Sequence, residues 1–275
     1  MGIGEVLAGP HAFPRSEAAD AALSASVATD ELALDLLNDF ATLARALPRL
    51  IASGSWPNAF LACAGMHQIV EDRLRDPYSL SLVRRRVARV PLAGRGGAAL
   101  MTAAARAVAL RERVGPFDTE GLAAETGALA RRLADALVDG HCDVDAELLA
   151  RAASLARKTA DAPAALRREI VRIPSCFRSF DLAPADVARL VHDAAARCSD
   201  RSAPLGVLGV RTSGSYLAPL AAAYFAREGF TDARSLTLRP GQPVPGPARS
   251  ALRDIARSGG SIFVVDDPPN TGGSP

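Results

Sequence analysis

Leu32, Leu36, Phe40, Leu43 and Leu47 recur at steps of three and four residues, the spacing that lines one face of an α-helix. Asp30 stands ahead of that ladder as a predicted N-cap, and Pro48 predicts its interruption. Further helices are predicted over Ala59 to Arg75, closed by Asp76-Pro77, and over Ala98 to Arg113, closed by Gly115-Pro116. Leu122, Leu129, Leu133 and Leu137 mark a fourth ending at Gly140, and Ala146 to Lys158 a fifth. No alternating β pattern interrupts these helices, and no internal repeat is evident.

After Pro174 the pattern changes. Val187, Leu190, Val191, Ala194 and Cys198 share one helical face behind Ala183-Pro184, with the proline suited to a first turn. Leu205 to Val210 is a short apolar run that fits a strand covered on both faces. A polar turn, Arg211-Thr212-Ser213-Gly214-Ser215, leads into a helix from Tyr216 to Arg227, stopped by Gly229. Arg234 to Leu238 predicts a second strand, Pro240 to Pro247 a Pro/Gly-rich loop, Ala248 to Arg257 a helix and Ile262 to Val265 a third strand. Strands alternating with helices imply right-handed crossovers and a parallel sheet. The expected fold class is therefore α/β: an all-helical N-terminal half over residues 30–173, behind a flexible segment 1–29, followed by a partial parallel-sheet domain over 174–275.

Composition narrows the function classes. Of 275 residues, 49% are hydrophobic, which excludes global disorder; 32 basic side chains against 30 acidic ones give a net charge of +2, no footprint for nucleic acid or an anionic membrane. Lys158 is the only lysine, and the abundance of Ala favours small-residue helix packing. Cys63, Cys142, Cys176 and Cys198 lie too far apart for a zinc knuckle and fit no disulfide framework, so a reducing, cytoplasmic setting is expected. The uncharged stretch from Leu50 to Val70 is interrupted by Gly54, Pro57, Asn58, His67 and Gln68, and reads as a loop and the start of a helix, not a membrane span. Arg84-Arg85-Arg86 with Arg89 reads as the wet face of a helix, and Trp56 and His67 as packed or solvated residues, so the helical half receives no site.

The chemistry concentrates in Ile262-Phe263-Val264-Val265-Asp266-Asp267-Pro268-Pro269-Asn270-Thr271-Gly272-Gly273-Ser274. A buried strand delivers two carboxylates to its C-terminal end, where open α/β sheets place ligands, and a small-residue turn follows. Adjacent carboxylates suit vicinal ribose hydroxyls, and successive N–H groups of a small-residue turn suit a phosphate.

This segment resembles the signature of the type I phosphoribosyltransferases: an apolar strand, two acidic residues, three variable positions, then Thr-Gly, one residue, and Ser or Thr. The resemblance implies that Asp266 and Asp267 contact the ribose of phosphoribosyl pyrophosphate (PRPP), and that Asn270, Thr271, Gly272, Gly273 and Ser274 complete its binding loop. It implies a pyrophosphate loop at Arg211, Thr212, Ser213 and Gly214, with Arg239 serving the same group, and magnesium carried by the pyrophosphate with no direct protein ligand. Asp266, Asp267 and Arg211 would form the catalytic set, Arg211 neutralising the departing pyrophosphate. The implied activity is transfer of a phosphoribosyl group to a small-molecule acceptor, in a chain that also has the option of homo-oligomers.

The resemblance covers roughly residues 182 to 275 and has departures. Pro268 and Pro269 stand where branched apolar residues are usual, and stiffen the loop. Asn270 replaces the aspartate of the 6-oxopurine enzymes, and an amide is no general base at neutral pH; the loop Pro240 to Pro247 lacks the lysine of the orotate branch. Both substrate classes are disfavoured. Ser274-Pro275 resembles an N-cap and first-turn proline, which leads to the expectation of an N-terminal portion of a longer transferase, or a degenerate relative. Two alternatives stand beside it: a PRPP- or nucleotide-sensing regulator without chemistry, and a helical interaction scaffold with a vestigial α/β half.

Overall fold

The computed structural model describes residues 37–75, 96–97, 99–100, 102–104, 107, 117–140, 145–172, 183–240, 244 and 246–266. The predictions for residues 1–36, for Asp76-Pro77, for the Arg84–Arg89 cluster and for Gly115-Pro116 lie outside them. The protein is mixed helix and sheet. Its first elements are β1 (Leu37–Asp39), α1 (Phe40–Ala52), α2 (Trp56–Arg75), α3 (Thr119–Asp139), α4 (Ala146–Ala160), the single turn α5 (Ala164–Arg167) and β2 (Ile170–Arg172). There follow α6 (Pro184–Ala195), β3 (Leu205–Val210), α7 (Gly214–Arg227), β4 (Ala233–Leu238), α8 (Gly246–Arg257) and β5 (Ser261–Val265). The described residues within the predicted Ala98–Arg113 helix are helical.

Two N-terminal expectations are corrected. The helix of the first leucine ladder is not continuous into Phe40: Leu37–Asp39 is a strand paired antiparallel with Ile170–Arg172, and α1 starts at Phe40, while Asp30 to Leu36 lie outside the described residues. Its cap is Asp39, whose carboxylate accepts the Thr42 N–H at 2.6 Å and satisfies one of the helix's orphan donors. Nor does Pro48 end α1, which runs on to Ala52. The proline forfeits one backbone bond, but Leu47 and Ile51 on either side of it are fully buried, and that packing outweighs the loss. Among the described residues, the N-terminal half is thus helical with one short antiparallel ribbon.

The other helices start and stop for local reasons visible in the chain. Asp118 caps α3 through the Gly121 N–H at 2.7 Å, and Gly140 ends it in the left-handed conformation at φ 71°. Asp145 caps α4 through Glu147 N–H, and Pro184 opens α6 while Asp186 reaches back to the Ala183 N–H at 2.8 Å.

β4, β3 and β5 form a parallel sheet in that order, with Gly209 paired to Thr237 on one side and Val265 on the other. Because successive side chains alternate across a sheet, Leu205, Val207, Phe263 and Val265 share one face with Ser235 and Thr237, and α7 covers it. Phe225 of α7 meets Phe263 with ring centroids 5.0 Å apart. α8 lies on the opposite face, where Ile255 packs against Gly206. The chain leaves β3 toward β4 over one face and returns from β4 to β5 over the other.

One hydrophobic core runs through both halves. α7 packs on α2 and α3 as well as on the sheet, and Tyr216 in its first turn is fully buried. Gly65 of α2 permits this approach: a Cβ there would overlap Val171 Cγ1 and come within 2.7 Å of the Tyr216 hydroxyl. At the other end of α7, Arg227 Nη1 donates to the Val138 carbonyl in the last turn of α3 at 2.6 Å. Among the described residues, no helix is long and apolar enough to cross a membrane.

Candidate functional site

The three parallel strands end side by side, and each end carries a residue singled out by the sequence. Arg211 follows β3, Arg239 follows β4 and Asp266 follows β5. The register puts Val210 opposite Leu238, and the Arg211 N–H donates to the Leu238 carbonyl at 2.8 Å, so Arg211 and Arg239 lie next to each other. Alternation aims both toward the face that carries Thr237 and the helical half. Asp266 lies one residue beyond the Gly209–Val265 pair, exposed, on the face shared with Ile262 and Val264. The structure therefore brings Arg211 and Arg239 together and sets Asp266 at the neighbouring strand end, off the opposite face. Asp267, Asn270, Thr271, Gly272, Gly273 and Ser274 lie outside the described residues.

The turn after β3 is tight. A Cβ on Gly214 would sit 2.5 Å from Gly209 Cα, and one on Gly209 2.5 Å from the Gly214 carbonyl carbon, so backbone presses on backbone and neither position takes a side chain. The helix begins at Gly214, two residues earlier than expected from the sequence, because Tyr216 and Leu217 N–H already bond the Ser213 carbonyl. None of the backbone hydrogen bonds among the described residues uses the N–H of Thr212, Ser213 or Gly214. Ser213 makes no side-chain cap, and the Ser215 hydroxyl is buried without a hydrogen-bond partner. Consecutive N–H groups at the N-terminus of a fourteen-residue helix are the kind of donor an anion uses.

Compared with protein-family models, with curated proteins and with solved structures, the chain finds no match. What the site can do rests on its own chemistry.

The Arg211 side chain is 1% exposed and ends in a charge cluster. Its Nη1 donates to Asp72 Oδ1 at 2.5 Å, its Nη2 pairs with Glu71, and Nε and Nη2 donate to the Thr237 hydroxyl at 3.1 and 3.0 Å. The other Asp72 oxygen pairs with Arg239 Nη2. Burial first, and the neighbouring Arg239 cation second, pull the Arg211 pKa down to about 9. Two carboxylates therefore offset two guanidinium groups at a site where water reaches one of the arginines poorly.

The helical half, to which the sequence assigned no site, supplies those carboxylates. Glu71 and Asp72 sit in the last turns of α2. Thr237 was also missed. Its signal was available, since Thr237 and Arg239 are two apart on a strand and so share a face. His67 is packed, its Nδ1 3.2 Å from the Thr126 hydroxyl and its Nε2 3.8 Å from Glu71.

Proposed function

We propose that this protein binds PRPP at the C-terminal edge of its parallel sheet and belongs functionally with the phosphoribosyltransferases, its acceptor being a small molecule. The observation that carries the reading is the juxtaposition at β3 and β5. A glycine-tight turn follows one strand, with three N–H groups that no backbone hydrogen bond among the described residues uses, and Asp266 opens the acidic segment after its parallel neighbour. The β3 turn enters α7 on one face of the sheet, while α8, which leads from β4 into β5, covers the opposite face. Open α/β sheets bind ligands outside the carboxyl ends of their strands, where these two segments stand.

In this reading the diphosphate lies on the Thr212–Gly214 N–H groups, Arg239 faces it from the β4 end, and Asp266 with Asp267 holds the ribose hydroxyls. Arg211 takes a different part from the one the sequence suggests. Its guanidinium is spent on Glu71, Asp72 and Thr237, so it fixes the turn from beneath and leaves the charge of the leaving group to Arg239 and the N–H donors. The donors at the turn are cationic or N–H groups, which suit the anion and not a bare metal. Magnesium would thus arrive bound to the diphosphate, where its charge would offset that of the leaving group. Asp266, exposed at the strand end, is the described carboxylate placed to meet that complex from the ribose side.

Isothermal titration of PRPP with magnesium tests the reading. The wild-type chain should bind, and Asp266→Asn combined with Asp267→Asn should remove binding in a protein that still melts cooperatively; equal affinity in the two proteins would refute it. A second reading, a PRPP sensor without turnover, is favoured by the one observation that Arg211, the arginine nearest the turn, is neutralised internally. Release of pyrophosphate with any member of a panel of bases and amines separates the enzyme from the sensor.

A further inference from the structure

We infer that Asp72 is the internal counter-anion of the pyrophosphate loop, a carboxylate from the helical half that holds Arg239 until a diphosphate displaces it. The inference rests on the PRPP reading for the identity of the natural ligand, but its core, an exchange of one anion for another on Arg239, follows from the charge cluster itself.

A single carboxylate divided between two guanidinium groups is the arrangement a phosphoryl group adopts between two arginines. Asp72 does this with Oδ1 on Arg211 and Oδ2 on Arg239. The two halves of the bridge are not equivalent. Arg211 is 1% exposed and is held by Glu71 and Thr237 besides. The Arg239 side chain is 38% exposed, and Asp72 is the partner the structure gives it. Arg239 also stands one residue past β4, next in register to Arg211, and so beside the turn whose N–H groups enter no backbone hydrogen bond among the described residues. An anion on those N–H groups can take over Arg239 by replacing one Asp72 oxygen, while Asp72 keeps its bond to Arg211 and the buried half never opens. No covalent bond changes; one ion pair is exchanged for another.

The exchange makes the site selective. Asp72 remains close by after it is displaced, so the incoming group must overcome a like charge as well as the lost pair. A diphosphate, with charge to place both on the N–H groups and on Arg239, can do so; orthophosphate, with one phosphoryl group, is disfavoured. The helical half thereby acquires a function, since the position of α2 sets the anion threshold of a site built on the sheet.

The test is calorimetric titration of inorganic pyrophosphate, and separately of orthophosphate and PRPP, into the wild-type chain, Asp72→Asn, Arg239→Gln and the double variant. Asp72→Asn should tighten pyrophosphate binding about tenfold, within the usual range of coupling between sites, and should narrow the gap between pyrophosphate and orthophosphate. Arg239→Gln should weaken pyrophosphate, and in the double variant the gain from Asp72→Asn should vanish. Affinity unchanged or weakened in a folded Asp72→Asn protein overturns the inference, because a carboxylate that merely positioned the arginines would give that result. Should Asp72→Asn fail to fold, arginine side-chain NMR of the unsubstituted protein decides: pyrophosphate must shift the Arg239 Nε–H signal and leave that of Arg211 in place, and any other pattern overturns the exchange. The outcomes separate the two readings. Pyrophosphate binding that responds to Asp72→Asn, without competition by PRPP, sustains the exchange and sinks the PRPP reading; PRPP binding indifferent to Asp72 does the reverse; binding of neither ends both.

Discussion

Removing the charge of Asp72 should destabilise the fold, and most of that cost should vanish when Arg211 is removed as well. Arg211 is 1% exposed, whereas Glu71 and Asp72 are 19% and 28% exposed, so the cation is the desolvated member of the cluster. Breaking a buried ion pair by deleting one partner costs about 3–5 kcal/mol, because the remaining charge stays out of water without compensation. Glu71 still faces Arg211 in Asp72→Asn, which sets the expectation at the low end, about 3 kcal/mol. Arg211→Met keeps the packing and leaves carboxylates that reach solvent, Asp72 still paired with Arg239 and Glu71 still beside His67 and Thr237. Its cost should be about 1 kcal/mol. In the double variant no cation is stranded, and the total should stay near 1–2 kcal/mol, a coupling of about 2–3 kcal/mol. Urea unfolding followed by circular dichroism measures all three variants, with the slope m checked for constancy. Single costs that add in the double variant to within about 0.5 kcal/mol would refute the claim that Arg211 is held by Asp72 in a dry setting. A loss of about 3 kcal/mol is compatible with a folded Asp72→Asn protein, since domains of ordinary stability have about 5–15 kcal/mol in hand.

Gly214→Ala should cost about 3 kcal/mol or more and abolish pyrophosphate binding, because its Cβ meets the Gly209 backbone, which cannot rotate away; a thermal melt matching wild type would contradict the tight turn. Asp39→Ala should cost about 1 kcal/mol at neutral pH through loss of the α1 cap. The Thr42 backbone N–H holds the Asp39 pKa below the usual carboxylate value, so the cap contributes above the unfolded pKa and is lost as pH falls through the folded one. The wild-type and Asp39→Ala melts should accordingly converge in acid. Asp135→Asn should raise the melting temperature at pH 7, since burial, and next the Asp139 charge, push the Asp135 pKa up and make its ionised form a cost above that pKa. The gain should disappear below the unfolded pKa of about 3.9, and a gain that persists in strong acid would argue against it.

What was legible in the sequence, and what was not, divides along the range of the interactions. The strand Leu205–Val210 and the helix stop at Gly140 follow from local rules, an apolar β-branched run in one case and a left-handed C-cap in the other, and both fall where the sequence put them. Leu37–Asp39 could not be found that way. It falls between Leu36 and Phe40 of a ladder spaced as a helix, and it is a strand because Ile170–Arg172, more than a hundred residues on, offers it a partner. The site divides in the same manner. The order strand, polar turn, helix marks the Arg211–Gly214 turn in the chain itself, and period-two alternation is enough to put Thr237 beside Arg239. Glu71 and Asp72 carry no such mark, since an acidic pair on a helix has the same sequence whether water or an arginine faces it. What gives them a role is the approach of α2 to α7, made possible by the bare Cα of Gly65 against Tyr216 and Val171. That glycine, which costs the middle of a helix about 1 kcal/mol relative to alanine, was the one signal in α2 that a close neighbour had to be there. The partition of the chain into a helical half and an α/β half was drawn from composition; the charge cluster crosses it, so the loop chemistry proposed for the sheet cannot be understood, or tested, without the helix that neutralises it.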